Sequence, residues 1–395
     1  MNERLSLFII LFFSALVLCI ETQTLSISSD EANIFFYGHD ATHYLVTLST
    51  SLFGQNDLAL RLPFIGLHLL SVILLYKIGK IFLKRYSDRL LSILLYSLLP
   101  GVNGAALLVN SSGIVMFLTL LFVYAYLKEY RIFSQLILIV SLFVDNSFAI
   151  FYIAIFIYAL VQRKVDLALI SLVLFSAAMY LYGFDTGGKP KGYFIDTFGI
   201  YTAIFSPLLF LYFIYTMYRI LIKEEKNLLW YVSFVALIVS LMLSLRQKLQ
   251  LDDFAPFVVL AVPLMVKVFL NSYRVRLPQF RKWHTLTFSV VAFSLVLNTL
   301  VCFLHKPLYI FLDNPARNFA IKHHIAKELA SELQRKGMSR IAIADSRLAL
   351  RLKFYGIENG KEYKLMQSKQ WDEETLTISI KSFDKVLQTF YIYKS

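Results

Sequence analysis

The stretch LALRLPFIGLHLLSVILLYKIGKIFL, residues 58–83, is apolar from end to end apart from Arg61, His68, Ser71, Lys77 and Lys80, and it stops at the pair Lys84-Arg85. An α-helix rises about 1.5 Å per residue, so about 20 apolar residues cross a hydrocarbon core of roughly 30 Å. This run is long enough. A soluble core helix of that length would carry a polar face, and this one has none. Outward from it, the same kind of run recurs near 5–20, 90–108, 114–127, 132–144, 148–161, 165–182, 198–222, 228–245, 254–270 and 285–304, which predicts roughly eleven spans. The runs near 132–144 and 148–161 are short for a full crossing, and a re-entrant pair is the alternative there.

Composition agrees with a bilayer as solvent. The 395 residues are 58% hydrophobic and 16% charged, with mean hydropathy +0.63, which excludes an ordinary soluble enzyme. Fifteen Gly, nine Pro and two Cys exclude a collagen repeat, a disordered chain and a disulfide scaffold. Cys19 and Cys302 fall in or beside predicted spans and read as buried thiols. The net charge of +13 suggests nucleic acid until the basic residues are located. They are scattered over alternate connections, such as Lys84-Arg85, Lys128 with Arg131, Arg163-Lys164, Lys223 with Lys226, and Arg274 to Lys282, rather than gathered on one face. By the positive-inside rule these loops are cytoplasmic, so the N-terminus is expected inside and everything after residue 304 outside.

From Asn318 charged residues become frequent. Residues 320–336 are predicted to form an amphipathic helix with Ile321, Ile325, Leu329 and Leu333 on its apolar face. Strand-like runs follow at 340–344, 375–380 and 389–393, with a turn signal at Glu358-Asn359-Gly360. The expected organisation is a transmembrane domain over 1–310, with a first external loop at 21–57, and a small α/β domain over 318–395. No Gly-rich phosphate loop, nucleophile elbow or zincin motif is found. His323-His324 is expected to be a solvated pair.

The first external loop is the most informative for chemistry. It carries Asp30-Glu31, an aromatic patch Phe35-Phe36-Tyr37, His39-Asp40, and a run at 45–53 suited to the membrane interface. On the residues alone, Ser29 or Asp30 caps a helix starting at Glu31, whose charge suits the first turn. His39 and His43, four apart, share one face of a helix, either as half of a divalent-metal site or as ordinary interfacial histidines.

The string Asp30-Glu31-Ala32, followed by Ser51-Leu52-Phe53-Gly54-Gln55-Asn56-Asp57-Leu58-Ala59-Leu60-Arg61-Leu62-Pro63 and a long span, resembles the opening of the ArnT-like and protein-mannosyltransferase-like membrane glycosyltransferases (family 39, GT-C fold). Residues 94–100, ending at Pro100, and 248–263, with Lys248, Phe254, Pro256 and Pro263, are similar to later parts of the same pattern. The resemblance covers roughly the first 270 residues. It implies an all-α polytopic GT-C-like membrane protein with a small C-terminal α/β domain, in a bacterial inner membrane. It implies sugar transfer, with inversion, from a polyprenyl-phosphate donor to a lipid, glycan or protein acceptor on the periplasmic face. Asp30 then matches the catalytic carboxylate, with Glu31 as its partner. Arg246, Lys248, Lys189 and Lys191 are the candidates to hold the donor phosphate. Arg61 and His39 complete the candidate substrate-facing set, Arg61 with Asp57 or Glu31 as its expected ion-pair partner. No nucleic-acid partner is expected, and the cofactor is left open, with a divalent metal as the one candidate. The sequence departs from the family at Asn110-Ser111-Ser112, where a further acidic residue is common, at His39–His43, and at Asp145-Asn146. The pockets are therefore expected to differ from those of the aminoarabinose enzymes. The competing reading is a carrier or flippase for lipid-linked sugars, or an inactive relative. Carriers usually place ionisable groups at mid-membrane on broken helices within repeats, whereas here the acidic residues cluster in an external loop.

Overall fold

Hydropathy and proline placement account for most of the helical breaks in the computed structural model, which describes residues 3–183, 192–248, 253–368 and 376–394. In chain order the helices are α1 (Glu3–Thr24), α2 (Ser29–Tyr37), α3 (Ala41–Phe53), α4 (Asp57–Phe82), α5 (Tyr86–Leu98), α6 (Pro100–Leu107), α7 (Ser112–Leu127), α8 (Arg131–Leu142), α9 (Phe148–Val161) and α10 (Val165–Tyr182). They continue with α11 (Phe194–Phe205), α12 (Pro207–Lys223), α13 (Leu228–Ser244), α14 (Ala255–Val258), α15 (Val262–Val275), α16 (Pro278–Phe303) and α17 (Leu308–Phe311). The last part holds α18 (Ala326–Arg335), β1 (Ala342–Ile343), α19 (Ser346–Phe354), β2 (Tyr363–Met366), β3 (Leu376–Ser382) and β4 (Lys385–Lys394).

Among the described residues, α1, α4, α10, the Ala255–Val275 segment and α16 are long and apolar enough to cross a membrane. Two bent pairs raise the number to as many as seven: α5 with α6, at 61°, and α11 with α12, at 104°. Helices α7, α8, α9 and α13 are apolar but shorter. The continuous span expected over 198–222 is thus two helices. They meet at Ser206, with φ 83° and ψ 148°, a backbone region that L-residues other than glycine rarely adopt. Pro207 opens the next helix without an N–H to bond backwards. The run expected over 90–108 breaks at Leu99 for a related reason: a residue before proline is driven out of the helical region, and Leu99 sits at ψ 125°.

The chain divides into two units: residues 1–16, 64–106 and 110–299 form one, and 17–63, 107–109 and 300–395 form the other. In the first, aromatic rings fill the interior: Phe151 stacks on Phe257 with centroids 5.8 Å apart, and Phe205, Phe210 and Phe213 are fully buried. Some of its buried polar groups find partners, as when Tyr201 donates to the Ser240 hydroxyl at 2.8 Å, while others, such as the Thr119 and Ser206 hydroxyls, have none among the described residues. Arg89 pairs with Glu3 at 2.8 Å.

The second unit contains a four-stranded sheet of order β1-β2-β4-β3, with β1 parallel to β2 and the other pairs antiparallel. Leu329 and Leu333 of α18, Leu352 of α19, and Ile378, Phe390 and Ile392 of the strands build its core. The amphipathic helix is shorter than the 320–336 expected, because Ile321–His323 forms a 3-10 turn before α18. Helix α19 and strand β2 were not expected from the sequence. Along α3, Tyr44, Leu48 and Leu52 recur every fourth residue and are exposed, while Val46, Ser49 and Thr50 are buried. An apolar outer stripe on a helix is the pattern of a segment lying in a membrane interface.

Candidate active site

The second unit buries a charged network built around Glu31. The local reason is a capping box whose N-cap lies upstream of both candidates named from the sequence. Ser28, not Ser29 or Asp30, is the N-cap; its hydroxyl accepts from the Glu31 N–H at 3.2 Å, and the Glu31 carboxylate accepts from the Ser28 N–H at 2.8 Å. Ser28 lies in extended backbone, φ −83° and ψ 171°, which lets both bonds close at once. Helix α2 therefore begins at Ser29, and Glu31 occupies its third position.

The box turns Glu31 inward. Its side chain is 3% exposed and that of Arg61 is 0% exposed, with 3.2 Å between them. Arg61 spans both carboxylate oxygens, and Oε1 also accepts from the Val109 N–H at 3.1 Å. The Nη2 that meets Glu31 also donates to the Ser26 carbonyl at 3.3 Å, while Nη1 donates to the Leu25 carbonyl at 3.2 Å and lies 3.8 Å from Asp57. Asp57 in turn holds Lys327 at 2.8 Å and accepts from the Tyr355 hydroxyl at 2.6 Å. Tyr355 accepts from the Ile27 N–H at 2.9 Å. Among the described residues, Arg61 Nε and the Ser26 hydroxyl are buried without a partner.

Electrostatics follow from this packing. Burial by itself pushes the Glu31 carboxyl up, but Arg61, His323 and the backbone N–H groups of Ser28 and Val109 outweigh it and hold Glu31 below the usual carboxylate range. Burial pushes His323 down, against the opposing pull of Glu31. Nor is the neighbouring histidine solvated as the sequence reading expected. His324 is 2% exposed, and burial first, then His305, Lys306 and His323, push it down to about 3. Its Nδ1 meets the Tyr309 hydroxyl at 2.7 Å and its Nε2 meets His305 Nδ1 at 2.7 Å. His305 closes on the Glu21 carboxylate. The result is a buried line of four titratable groups, held in place because the short turns at 308–311 and 321–323 aim the rings at one another.

Asp30 is placed differently. One residue along the helix from Glu31, it is exposed and lines a cavity of about 310 Å³ together with Asn33, Lys322, Asp345, Arg347 and Arg351. The two adjacent carboxylates thus divide the work of the helix: Glu31 is fully committed inside, and Asp30 is free to meet a solute. Asp30, Glu31 and Arg61 belong to the same unit, with Arg61 bonded to Glu31 and Asp57. His39 is exposed at the start of the next turn, and its ring lies 6.4 Å from that of His43. His43 has spent Nδ1 on the Ile34 carbonyl at 2.8 Å. Among the described residues, no group of three or more His, Cys, Asp or Glu side chains is placed to hold a metal. Arg246 and Lys248 are exposed in the first unit, just beyond α13. Lys189 and Lys191 lie outside the described residues. The sequence reading missed His323, Lys327, Tyr355, Val109 and the cations of the cavity. Nothing in local spacing marks them, since each meets this site only through the fold.

No protein-family model matches the chain, and no curated protein does. Solved structures do. Over 98% of this chain and 97% of its own, the structure of ArnT from Cupriavidus metallidurans bound to undecaprenyl phosphate superposes with a TM-score of 0.59 at 10% identity. The apo structure of ArnT from the same organism matches over 88% of this chain and 74% of its own, with a TM-score of 0.54 and 13% identity. The fold of this chain is therefore that of the ArnT structures, with few residues in common.

Proposed function

We propose that this chain is an integral membrane glycosyltransferase that moves a sugar from a polyprenyl-phosphate donor to an acceptor at the periplasmic face of a bacterial inner membrane. The observation that carries the reading is an exposed carboxylate, Asp30, set beside a buried and neutralised one, Glu31, in a chain with the fold of ArnT. The neighbouring ArnT structure bound to undecaprenyl phosphate supports the donor class. The positive-inside pattern supports a cytoplasmic N-terminus and a periplasmic second unit.

In this reading Asp30 is the general base. It takes the proton from an acceptor hydroxyl; the acceptor oxygen forms a bond to the anomeric carbon as the bond from that carbon to the donor phosphate breaks. The polyprenyl phosphate leaves with the electron pair, and the configuration inverts. One carboxylate is enough because the leaving group is already a stable anion, and what that group requires is positive charge. Arg246 and Lys248 are the assigned holders of the phosphate, with Lys189 and Lys191 as further candidates. Glu31 and Arg61 are positioning residues: their buried pair fixes the first turn of α2 and so the direction in which Asp30 points. His39 is assigned to the substrate-facing loop.

The test is transfer by the purified protein in proteoliposomes, after mass spectrometry of envelope lipids, glycans and proteins with and without the gene has identified the sugar and acceptor. Asp30→Asn is expected to abolish transfer while leaving membrane insertion and thermal stability unchanged. Full transfer by that variant would remove the mechanism.

A further inference from the structure

A cavity of about 410 Å³ opens between the α7–α8 and α9–α10 turns, wholly within the first unit. The two turns are built alike. Glu129, at φ 62°, follows α7, and Arg163, at φ 55°, follows α9. Each turn is closed by the same kind of bond, from the Tyr130 N–H to the Ala125 carbonyl at 3.0 Å and from the Lys164 N–H to the Ala159 carbonyl at 2.9 Å. Glycine is the usual occupant of that left-handed position, because a Cβ is strained there. Here both positions carry a charged side chain instead, and both line the cavity together with Arg131, Lys164 and Asp166. Opposite charges thus share one small space. Yet the side chains of Glu129, Arg131, Arg163 and Asp166 make neither a hydrogen bond nor an ion pair among the described residues. Local structure does not account for two of them. Glu129 stands past the C-terminal end of α7 and Arg131 opens α8, each at the helix end whose partial charge has its own sign.

Separated, unpaired charges of both signs are complementary to a zwitterion. Helices α8 and α10 pack on each other, and both begin at the cavity. From there Ile132, Leu136 and Val140 run along α8, and Val165, Leu169 and Val173 along α10, at every fourth residue and all exposed. Residues four apart share a helix face, and faces of this composition suit hydrocarbon. The turns belong to the basic connections that the positive-inside rule sets at the cytoplasmic membrane boundary. We infer that the cavity binds the headgroup of a phosphatidylethanolamine lipid. Its phosphate is held by Arg131 and Arg163, its ammonium by Glu129 and Asp166, and its acyl chains lie along α8 and α10. A purely anionic headgroup would bring nothing for the two carboxylates. A choline headgroup has no N–H to give them and needs an open aromatic face. Tyr126, the aromatic member of the wall, already accepts from Lys164 at 2.6 Å, with Nζ 4.8 Å from the ring centroid. The inference stands apart from the sugar-transfer reading, which assigns no residue of this cavity.

The experiment uses the full chain, purified in detergent, and native mass spectrometry with dioleoyl phosphatidylethanolamine, phosphatidylglycerol and phosphatidylcholine added in turn. Phosphatidylethanolamine is expected to bind roughly tenfold tighter than either of the others, which lack the ammonium contacts to the carboxylates. Arg131→Ala/Arg163→Ala should lower its affinity by a similar factor. Glu129→Gln/Asp166→Asn should instead turn the preference toward phosphatidylglycerol, a gain that loss of structure could not produce. Lys84→Ala/Arg85→Ala removes the same charge from another basic connection and should leave the preference intact. O-phosphoethanolamine, the headgroup without acyl chains, should not displace the lipid at equal concentration. Equal binding of the three lipids, tighter binding of phosphatidylglycerol by the parent, or an unaffected Arg131/Arg163 variant overturns the inference. So does an equal loss in the Lys84/Arg85 variant, which would make the effect one of net charge, or displacement by the soluble headgroup, which would make the ligand a free solute.

Discussion

Replacing Glu31 by glutamine takes one negative charge out of a place where water cannot replace it. In the parent, the carboxylate accepts from Ser28 N–H, from Val109 N–H and, at both of its oxygens, from Arg61 Nη2. The amide keeps one accepting oxygen, and its NH₂ must face either a backbone N–H or the guanidinium. Arg61, fully buried, would be left with Asp57 at 3.8 Å as its remaining ion-pair partner. Removing one member of a buried pair costs about 3–5 kcal/mol, equivalent to a fall in opening free energy that speeds amide exchange by roughly a hundred- to a thousandfold or more. Hydrogen–deuterium exchange of the detergent-solubilised protein reads this directly at the amides of Ser26, Ile27 and Val109. The combined Glu31→Leu/Arg61→Met variant should regain most of the lost protection, since apolar replacement of both charges removes the desolvation cost along with the attraction. Protection in Glu31→Gln within threefold of the parent would refute the argument, as would simple addition of the two single losses in the double variant.

Other outcomes follow from the same geometry. His323 and His324 both have depressed folded-state values, so the stability they confer is complete above the unfolded histidine range near 6.5 and is lost as pH falls below it. Glu31, held low by its partners, has the same sign and loses its contribution at still more acidic pH. Unfolding followed from pH 7 to pH 4 should therefore show a falling midpoint, and His324→Gln should flatten the slope; an unchanged slope in that variant would argue against burial as the cause. Ser206, at φ 83° between α11 and α12, adopts a conformation that costs about 1–3 kcal/mol for a non-glycine residue. Ser206→Gly should raise the unfolding midpoint, and a lowered midpoint in thermal scans would show that the buried hydroxyl contributes more than the backbone loses.

Much of this molecule is legible in its sequence, and the illegible part has a physical reason. Apolar runs such as 58–83 and 285–304 mark their helices because a bilayer requires uninterrupted apolarity, and α4 and α16 occupy those places. Hydropathy is blind to a bend: the apolar character continues through Leu99 and Ser206, where the backbone turns. Proline was the available signal at both breaks. Helix α19, SRLALRLKF, carries too many cations in too few residues for its period to stand out. The Arg61–Asp57 contact could be read from its spacing of four, and Glu31 was within reach through the Ser28 to Glu31 capping pattern. Lys322, Arg347 and Arg351 look like any solvated basic residues until the fold sets them around Asp30.

The Glu31 network also has a timetable. A ribosome delivers Arg61 soon after Glu31, but Val109 comes later, and His323, Lys327 and Tyr355 come only after α16 has been made. Until then the Ser26 N–H lacks the His323 carbonyl it will bond at 2.8 Å, and the Asp57 side chain lacks both of its late partners. The region bearing Asp30 must therefore wait, half-assembled, through the insertion of every intervening span. Loss of the segment that carries His323, Lys327 and Tyr355 would harm it as surely as a lesion at codon 31.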